Sequence, residues 1–227
     1  MRLLKFLLAL VLLPTVYFVL VETGKIWWTV FEHLQTTLAF LLGAGVYVTL
    51  HYTVYDFSRP YVLVHEFTHA LFAFLCGARI KDISVKRESG YVKMDKTNVL
   101  IVLAPYIVPG YVLLTAFLYI AGELFVDLTP YRAVFVFLVG FFTAFHVIQT
   151  CKTLFEADQP DLKLAGGKVF SLVIIVLANL IVLALVLKGL FPEQISLISA
   201  GKVVLKGTLN VWRILVNYII ERIKNAL

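Results

Sequence analysis

The feature that most constrains this chain is a series of apolar stretches long enough to cross a lipid bilayer. A spanning helix needs about 20 apolar residues, and stretches of that kind lie at 3–21, 36–55, 98–120, 131–150 and 169–190. Hydrophobic residues make up 61% of the chain, whereas soluble domains contain roughly 45–50% apolar residues. The sequence therefore predicts an all-α polytopic membrane protein. With the helix that begins at Pro60 included, about six transmembrane helices are expected.

The first apolar stretch has a basic start, Arg2 and Lys5, which is also typical of a secretory signal peptide. A signal peptide would end at a small-x-small cleavage site, but VETGKIWW follows instead. Trp27 and Trp28 of that segment suit the aromatic belt at a membrane interface. We therefore interpret residues 3–21 as a membrane anchor.

The distribution of basic residues predicts an orientation in the membrane. The chain carries 20 Lys and Arg against 14 Asp and Glu, for a net charge of +6. If every predicted helix crosses, segments 22–35, 79–97 and 152–168 share one side and hold most of the cations that precede the tail. Because cytoplasmic loops are enriched in Lys and Arg, we expect segment 79–97 and loop 152–168 in the cytoplasm. This bias explains the net charge better than nucleic-acid binding does.

The tail at 194–227 has a different pattern from the membrane-embedded domain expected at 1–193. Its polar residues recur at steps of three and four positions, as in an amphipathic helix: Ser199, Lys202, Lys206, Asn210, Arg213, Asn217, Glu221 and Lys224. We expect this helix at the membrane interface rather than as a further span, because cations in the middle of a span are costly. The basic residues of the tail would then lie opposite the hairpin. That position conflicts with the positive-inside rule, and an extra span in the tail would lessen the conflict.

Three ionisable residues interrupt an otherwise apolar helix. In YVLVHEFTHALFAFLCGA, residues 61–78, His65 and His69 are four positions apart and Glu66 follows the first histidine. Residues four apart share one helix face, so two imidazoles can bind one metal ion while Glu66 reaches a metal-bound water. In zinc metalloproteases with this H-E-x-x-H arrangement, zinc lowers the pKa of its water to about 7 and the glutamate acts as general base and then acid. The motif predicts a metalloendopeptidase with one zinc ion.

A catalytic zinc site has three protein ligands and one open position, and no third ligand follows the motif closely. The sequence leaves four candidates open: Glu156, Asp158 and Asp161 in FEADQPDLKLAGG, and His146 in TAFHVIQT. His146 could equally be a packing histidine, a residue that contacts a metal ligand without binding the metal, or a substrate contact. The alternative to a metal site is a buried polar network, in which His65 and His69 hydrogen-bond to other helices.

Two further segments have distinctive patterns. ARIKDISVKRESGYVKMDK, residues 78–96, alternates polar and apolar residues around a central Ser-Gly pair, which predicts a polar β-hairpin. APYIVPGY, residues 104–111, contains two prolines and a glycine and predicts a broken helix. Broken helices at membrane depth are tolerated where they are buried in protein or line a cavity. Asn179 in the last apolar stretch is expected to hydrogen-bond between helices, with contact to the Asp161 loop or to substrate as alternatives.

The metal-binding helix, the hairpin, the broken helix and the distal acid together resemble the site-2 protease family of intramembrane zinc metalloproteases. Ala73 and Gly77 follow the second histidine at a spacing often found in that family. The resemblance covers roughly residues 58–180. It implies that a distant Asp completes the zinc site. The family's common Asn-Pro-x-Asp-Gly and Leu-Asp-Gly sequences are absent, but DQPDLKLAGG is similar to the Gln-x-Asp-Leu pattern of the small, compact bacterial branch. That similarity implies Asp161 as third ligand, with Asp158 as the second choice.

The resemblance also implies a substrate and a location. The substrate would be a membrane protein with a transmembrane segment, cleaved within or near that segment in the bacterial cytoplasmic membrane. An exposed strand of the hairpin at 80–95 could hold the unwound substrate by β-addition. Two other classes remain as alternatives: an inactive membrane scaffold of the same fold, and a transporter that uses the histidines as a relay. The intact Glu66 argues against the first, and the scarcity of acids in the other spans argues against the second.

Overall fold

The computed structural model describes residues 2–31, 33–87, 89–156 and 159–225. The structure is 79% helical, and the described residues form one two-stranded sheet, which confirms the all-α class with a single hairpin. The elements in chain order are α1 Arg2–Val30, α2 Leu34–Thr53, α3 Ser58–Leu75, β1 Ile80–Val85, β2 Gly90–Met94, α4 Val99–Ile107, α5 Gly110–Glu123, a 3₁₀ turn Thr129–Tyr131, α6 Arg132–Glu156, α7 Pro160–Ala165, α8 Lys168–Leu190 and α9 Leu197–Lys224.

The chain divides into two compact units. One is Glu32–Ser171, and the other combines Met1–Phe31 with Leu172–Leu227. The sequence predicts a membrane-embedded domain at 1–193 and a tail at 194–227. The division into compact units does not test that boundary, so it stays a prediction.

Within Glu32–Ser171, α2 and α6 pack side by side in the same direction. Gly43 and Gly140 bring the two backbones into contact, because a Cβ at either glycine would overlap a carbonyl of the other helix. Small residues allow this close approach between membrane helices. The contacts advance together along both helices, from Phe40 with Gly140 to Tyr47 with Phe145, whose ring centroids are 5.6 Å apart. The two helices are therefore parallel.

This parallel packing differs from the alternation expected if every helix between residues 36 and 150 crosses the membrane. Asp56, just after α2, lies 3.6 Å from Lys152 near the end of α6, so both helices end at the same level. The described helices include five that are long and apolar enough to cross, or six with the bent pair α4–α5. The number agrees with the prediction, but α9 is among these helices and α3 is not. The polar side chains of α3, including His65 and Glu66, explain its lower hydropathy.

The two irregular features expected after α3 are both present. β1 and β2 form an antiparallel hairpin in which Ile83 faces Val92, and the Tyr91 hydroxyl donates a 2.8 Å hydrogen bond to Asp82 Oδ2 across the strands. The helix that follows is bent by 71° between α4 and α5. The hairpin and the broken helix are therefore confirmed.

The second unit contains α1, α9 and the larger part of α8. α1 and α9 pack together where Gly207 faces the ring of Phe18, and the hydroxyls of Thr208 and Thr15 are 3.4 Å apart. No residue of α9 is buried, which agrees with an amphipathic helix. Since several helices are long and apolar enough to cross a bilayer, the chain is an integral membrane protein. The interfacial position of α9 stays a prediction.

Candidate metal centre

One face of α3 presents the two histidines of the motif. His65 and His69 are one helical turn apart, and their ring centroids are separated by 4.9 Å. Each side chain keeps only 11% of its surface exposed. The buried residues of α3 lie on this face: Tyr61, Glu66, Thr68, His69 and Ala73. The helix ends just before Gly77, whose φ of 68° turns the chain toward the hairpin.

Asp161 joins the two histidines from a distant part of the chain. Pro160 begins the short helix α7, and Asp161 lies in its first turn. The Oδ2 atom of Asp161 is 3.7 Å from Nε2 of His65 and 3.4 Å from Nε2 of His69. Potential ligand atoms of the three residues all lie within 4.8 Å of one another. Among the described residues, Asp161 is thus the one of the four candidates for the third ligand that the structure brings next to His65 and His69.

The separation of these atoms can be compared with that of zinc ligands. Zinc–ligand bonds of about 2.1 Å at tetrahedral angles separate two ligand atoms by about 3.4 Å. The two distances from Asp161 Oδ2, 3.7 and 3.4 Å, are close to that value. Two imidazole nitrogens and one carboxylate oxygen also form a known donor set of catalytic zinc, with the fourth position open. The three residues therefore fit a catalytic zinc ion.

The orientation of His69 is fixed by a backbone contact. Its Nδ1 lies 2.9 Å from the carbonyl oxygen of Ile101 in α4, in the buried part of the unit. A carbonyl can only accept a hydrogen bond, so Nδ1 carries the proton and Nε2 keeps its lone pair. That lone pair is directed toward Asp161. Metal-binding histidines commonly have such a second contact, which sets the tautomer and the ring orientation.

The carboxylate of Asp161 is also held in place. Burial by itself would raise its pKa, but the neighbouring imidazoles of His65 and His69 hold the pKa of Asp161 well below its ordinary value. The group is therefore ionised at neutral pH, the form that binds a metal. The Tyr106 hydroxyl donates a 3.0 Å hydrogen bond to the same Oδ2 atom. Tyr106 itself is fully buried.

Glu66 lies between the metal-binding histidines and the hairpin. Its residue surface is only 6% exposed, and the first residue of β2 packs directly against it. A Cβ at Gly90 would approach Glu66 Oε1 to 2.7 Å, which is closer than such atoms pack. Only glycine therefore fits beside the carboxylate without displacing it.

These groups face one cavity with a volume of about 910 Å³. Its walls come from α3, the hairpin, α4, the end of α6 and α7. The polar residues that α6 contributes are Gln149, Lys152 and Thr153. All consecutive residues from Ser89 to Met94 line it, whereas β1 contributes Lys81. The cavity therefore follows β2 along its length and has room for an extended peptide segment.

The other predicted site residues have different surroundings. His146 is buried in α6, but it is not one of the described residues that line the cavity. Asn179 donates from its amide to the Ile175 carbonyl of its own helix, 2.9 Å away. Asp158 and the side chain of Glu156 lie outside the described residues. Their roles as ligands stay predictions.

Several residues of the site were not found by sequence reasoning. Ile101 acts through its backbone carbonyl, for which the side-chain sequence gives no signal. Tyr106 lies in the APYIVPGY segment that predicts the helix break, and its hydroxyl meets Asp161 across 55 positions. Tyr61 is four positions before His65, so helical spacing would have placed it on the same face. Gly90 is the centre of the predicted turn, but its contact with Glu66 depends on how the hairpin folds back.

Comparison with known proteins gives one match. A sequence model of the family described as Peptidase M50B-like matches residues 38–156, which is more than half of the chain. The matched segment contains α3, the hairpin, the broken helix and α6, and it ends five positions before Asp161. The comparisons with curated proteins and with solved structures give no match.

Proposed function

Since the chain belongs to the Peptidase M50B-like family, we propose that it is an intramembrane zinc metalloendopeptidase. It hydrolyses peptide bonds in or near transmembrane segments of membrane proteins. The observation that supports this most directly is the meeting of His65, His69 and Asp161 beside Glu66 in one cavity. The Asp161 assignment depends on this geometry, because the family match ends before that residue.

His65 and His69 would hold the zinc ion through Nε2, and Asp161 through its carboxylate. When bound, zinc supplies a Lewis acid that lowers the pKa of water to about 7 and polarises a peptide carbonyl. The protein's own contribution is orientation. The Ile101 carbonyl fixes the His69 ring, and the Tyr106 hydroxyl fixes the Asp161 carboxylate.

Glu66 is the proposed general base and acid. It follows His65 directly, is buried and is one of the residues that line the cavity. Glu66 accepts a proton from the attacking water as the water oxygen bonds to the peptide carbonyl carbon. When the C–N bond breaks, Glu66 delivers that proton to the leaving amine nitrogen. General acid–base catalysis of this kind contributes about 10²–10⁴-fold to a rate.

The hairpin offers a binding edge for the substrate. Amides of a transmembrane helix are hidden by their own hydrogen bonds, so the substrate must unwind near the cleavage site. In a two-stranded sheet each strand has one free edge, and β2 is the strand that follows the cavity. A substrate segment added along β2 would be held by main-chain hydrogen bonds beside Glu66.

The partners and location follow from the same proposal. The substrate is a membrane protein with a transmembrane segment, and the lipid bilayer surrounds the enzyme. We place the protein in the bacterial cytoplasmic membrane, with the hairpin and loop 152–168 on the cytoplasmic side. The concentration of Lys and Arg in these two segments supports that orientation.

The test combines zinc content with cleavage of a single-span reporter, a fusion whose apolar helix separates two detectable domains. The protein purified in detergent should contain one zinc ion and cleave the reporter. Glu66→Gln should keep zinc and lose about 10²–10⁴-fold in rate, whereas His69→Ala should lose both. Asp127→Ala, a change in the loop before α6, serves as the control and should alter neither.

Three results would contradict the proposal. Failure of the unmodified protein to bind zinc under metal-replete conditions would leave His65, His69 and Asp161 as a buried polar network. Cleavage that survives Glu66→Gln at the full rate would exclude Glu66 as the base. Zinc binding with no cleavage of any of a panel of single-span reporters would favour an inactive scaffold of the same fold.

A further inference from the structure

We propose that α4 is the support that sets the geometry of the metal site, with Pro105 and Tyr106 as its positioning residues. α4 packs against both α3, which carries the two histidines, and α7, which carries Asp161. It contacts His69 through one backbone atom and Asp161 through one side chain. This inference rests on the zinc site proposed above and adds the residues that orient its ligands.

Pro105 explains why a helix carbonyl is available to His69. In a regular α-helix the Ile101 carbonyl would accept the N–H of residue 105. Residue 105 is proline, which has no N–H and whose ring pushes the carbonyl four positions earlier out of line. The Ile101 carbonyl is instead 2.9 Å from His69 Nδ1. A proline in α4 therefore supplies the acceptor that fixes the tautomer of a metal ligand in α3.

Tyr106 is the next residue, and it acts on the third ligand. A tyrosine hydroxyl has one proton to donate, and the Tyr106 hydroxyl lies 3.0 Å from Asp161 Oδ2, closer than the 3.4 Å to Gln159 Oε1. The aromatic ring also meets the His65 ring edge to face, with centroids 5.0 Å apart. One side chain thus limits the movement of two ligands that are far apart in the sequence.

The surroundings make α4 a rigid support. Its residues from Ile101 to Tyr106 are all buried, and Asn98 caps its first turn by accepting the Ile101 N–H at 2.9 Å. Ile101 is therefore held on both sides, through its N–H by Asn98 and through its carbonyl by His69. Groups behind metal ligands typically change metal affinity or activity by about 10–100-fold when they are removed.

The experiment measures metal binding rather than hydrolysis. Tyr106→Phe removes only the hydroxyl, and Pro105→Ala restores the N–H that competes for the Ile101 carbonyl. The matched controls are Tyr119→Phe, whose hydroxyl contacts the Leu128 carbonyl, and Pro14→Ala inside α1. Zinc affinity is measured in detergent by competition with a chelator of known affinity. The visible absorption spectrum of the Co²⁺-loaded protein reports ligand geometry.

We expect Tyr106→Phe and Pro105→Ala each to weaken zinc binding by about 10–100-fold and to change the Co²⁺ spectrum, with both controls unchanged. A purely structural role for α4 would lower thermal stability and leave the spectrum of the folded fraction intact. Unchanged affinity and spectrum in both variants would overturn the inference while the zinc site stands. Absence of metal binding in the unmodified protein would instead overturn the proposed function.

Discussion

At the scale of single residues, Gly90 lies so close to Glu66 that there is no room for a side chain at position 90. A methyl group at position 90 would lie 2.7 Å from Glu66 Oε1 and still closer to its Cγ, so the Glu66 side chain or the hairpin must shift. We expect Gly90→Ala to lower the cleavage rate by up to about 100-fold, the typical effect of a small misplacement of a reacting group. Zinc content should stay at the level of the unmodified protein.

The measurement is the rate of reporter cleavage alongside the zinc content of the same preparation. Gly24→Ala is a suitable control, because a Cβ at that position meets no atom within 4 Å. A full rate in Gly90→Ala would show that the hairpin does not set the position of Glu66.

A second prediction at this scale separates the two aspartates of the DQPDL segment. Asp161→Asn keeps the shape of the side chain but removes its negative charge, so the protein should no longer retain stoichiometric zinc. Asp158→Asn should retain it, because the carboxylate beside the two Nε2 atoms is that of Asp161. Zinc content after purification in detergent decides between them. Loss of zinc only in Asp158→Asn would mean that Asp158, and not Asp161, is the third ligand.

The sequence predicts some of these residues and not others, for identifiable reasons. His65, Glu66 and His69 follow from helical spacing, which is local and fixed. Asp161 is one of four candidates for the third ligand, because a contact between segments far apart in the sequence has no characteristic spacing. Only the resemblance to the family favours Asp161 among the four. The contribution of Ile101 could not be predicted, since it depends on a backbone carbonyl and on the proline four positions later.

At the scale of elements, the packing of α2 against α6 determines where the end of α6 lies. A Cβ at Gly43 would overlap a backbone carbonyl of α6, and a helix backbone cannot yield as a flexible side chain can. Overpacking of this kind costs about 1–3 kcal/mol. Gly43→Ala should therefore lower the thermal unfolding temperature in detergent.

Gly45 provides the matched comparison two positions later in the same helix. A Cβ there meets no atom within 4 Å, and alanine has the higher helix propensity, by about 1 kcal/mol. Gly45→Ala should leave the unfolding temperature unchanged or raise it. Equal effects of the two substitutions would indicate that α2 and α6 are not in backbone contact.

Sequence patterns predicted the individual elements better than their position relative to the bilayer. Alternation predicted the hairpin, and two prolines predicted the break between α4 and α5. Both signals are local. The prediction that α3 crosses the membrane rests on its apolar composition alone. The direction in which a helix runs depends instead on how it packs against its neighbours. The contact between Asp56 and Lys152 carries that information and cannot be read from either segment separately.

At the scale of the whole molecule, helix direction decides on which side of the membrane each loop lies. Because α2 and α6 are parallel, an even number of crossings must separate their carboxyl ends. Three segments lie in that interval: α3, the bent pair α4–α5, and α6 itself. Of these, α3 is long enough but is less apolar than a span is expected to be, whereas the others satisfy both requirements. We infer that α3 enters from the side on which α6 ends and returns through the hairpin.

The basic residues agree with this arrangement. Seven cations lie between residues 54 and 98, and three more lie at 152–168. In this arrangement all ten fall on one side of the membrane, whereas Arg132, the first residue of α6, lies on the other side. In the strictly alternating arrangement, Arg59 would join Arg132 on the outer side. The positive-inside rule therefore favours a cytoplasmic position for the start of α3, the hairpin and the Asp161 segment together.

Labelling of single cysteines with a membrane-impermeant maleimide tests this topology in sealed membrane vesicles of known orientation. With Cys76 and Cys151 replaced by serine, one cysteine is introduced in place of Arg59, Arg87 or Asp127, all of them exposed. We expect Arg59→Cys and Arg87→Cys to react from the cytoplasmic side, and Asp127→Cys from the opposite side. Retained zinc in each variant shows that the fold is intact. Reaction of Arg59→Cys on the side of Asp127→Cys would mean that α3 crosses the bilayer, and the packing direction of α2 against α6 would then be incorrect.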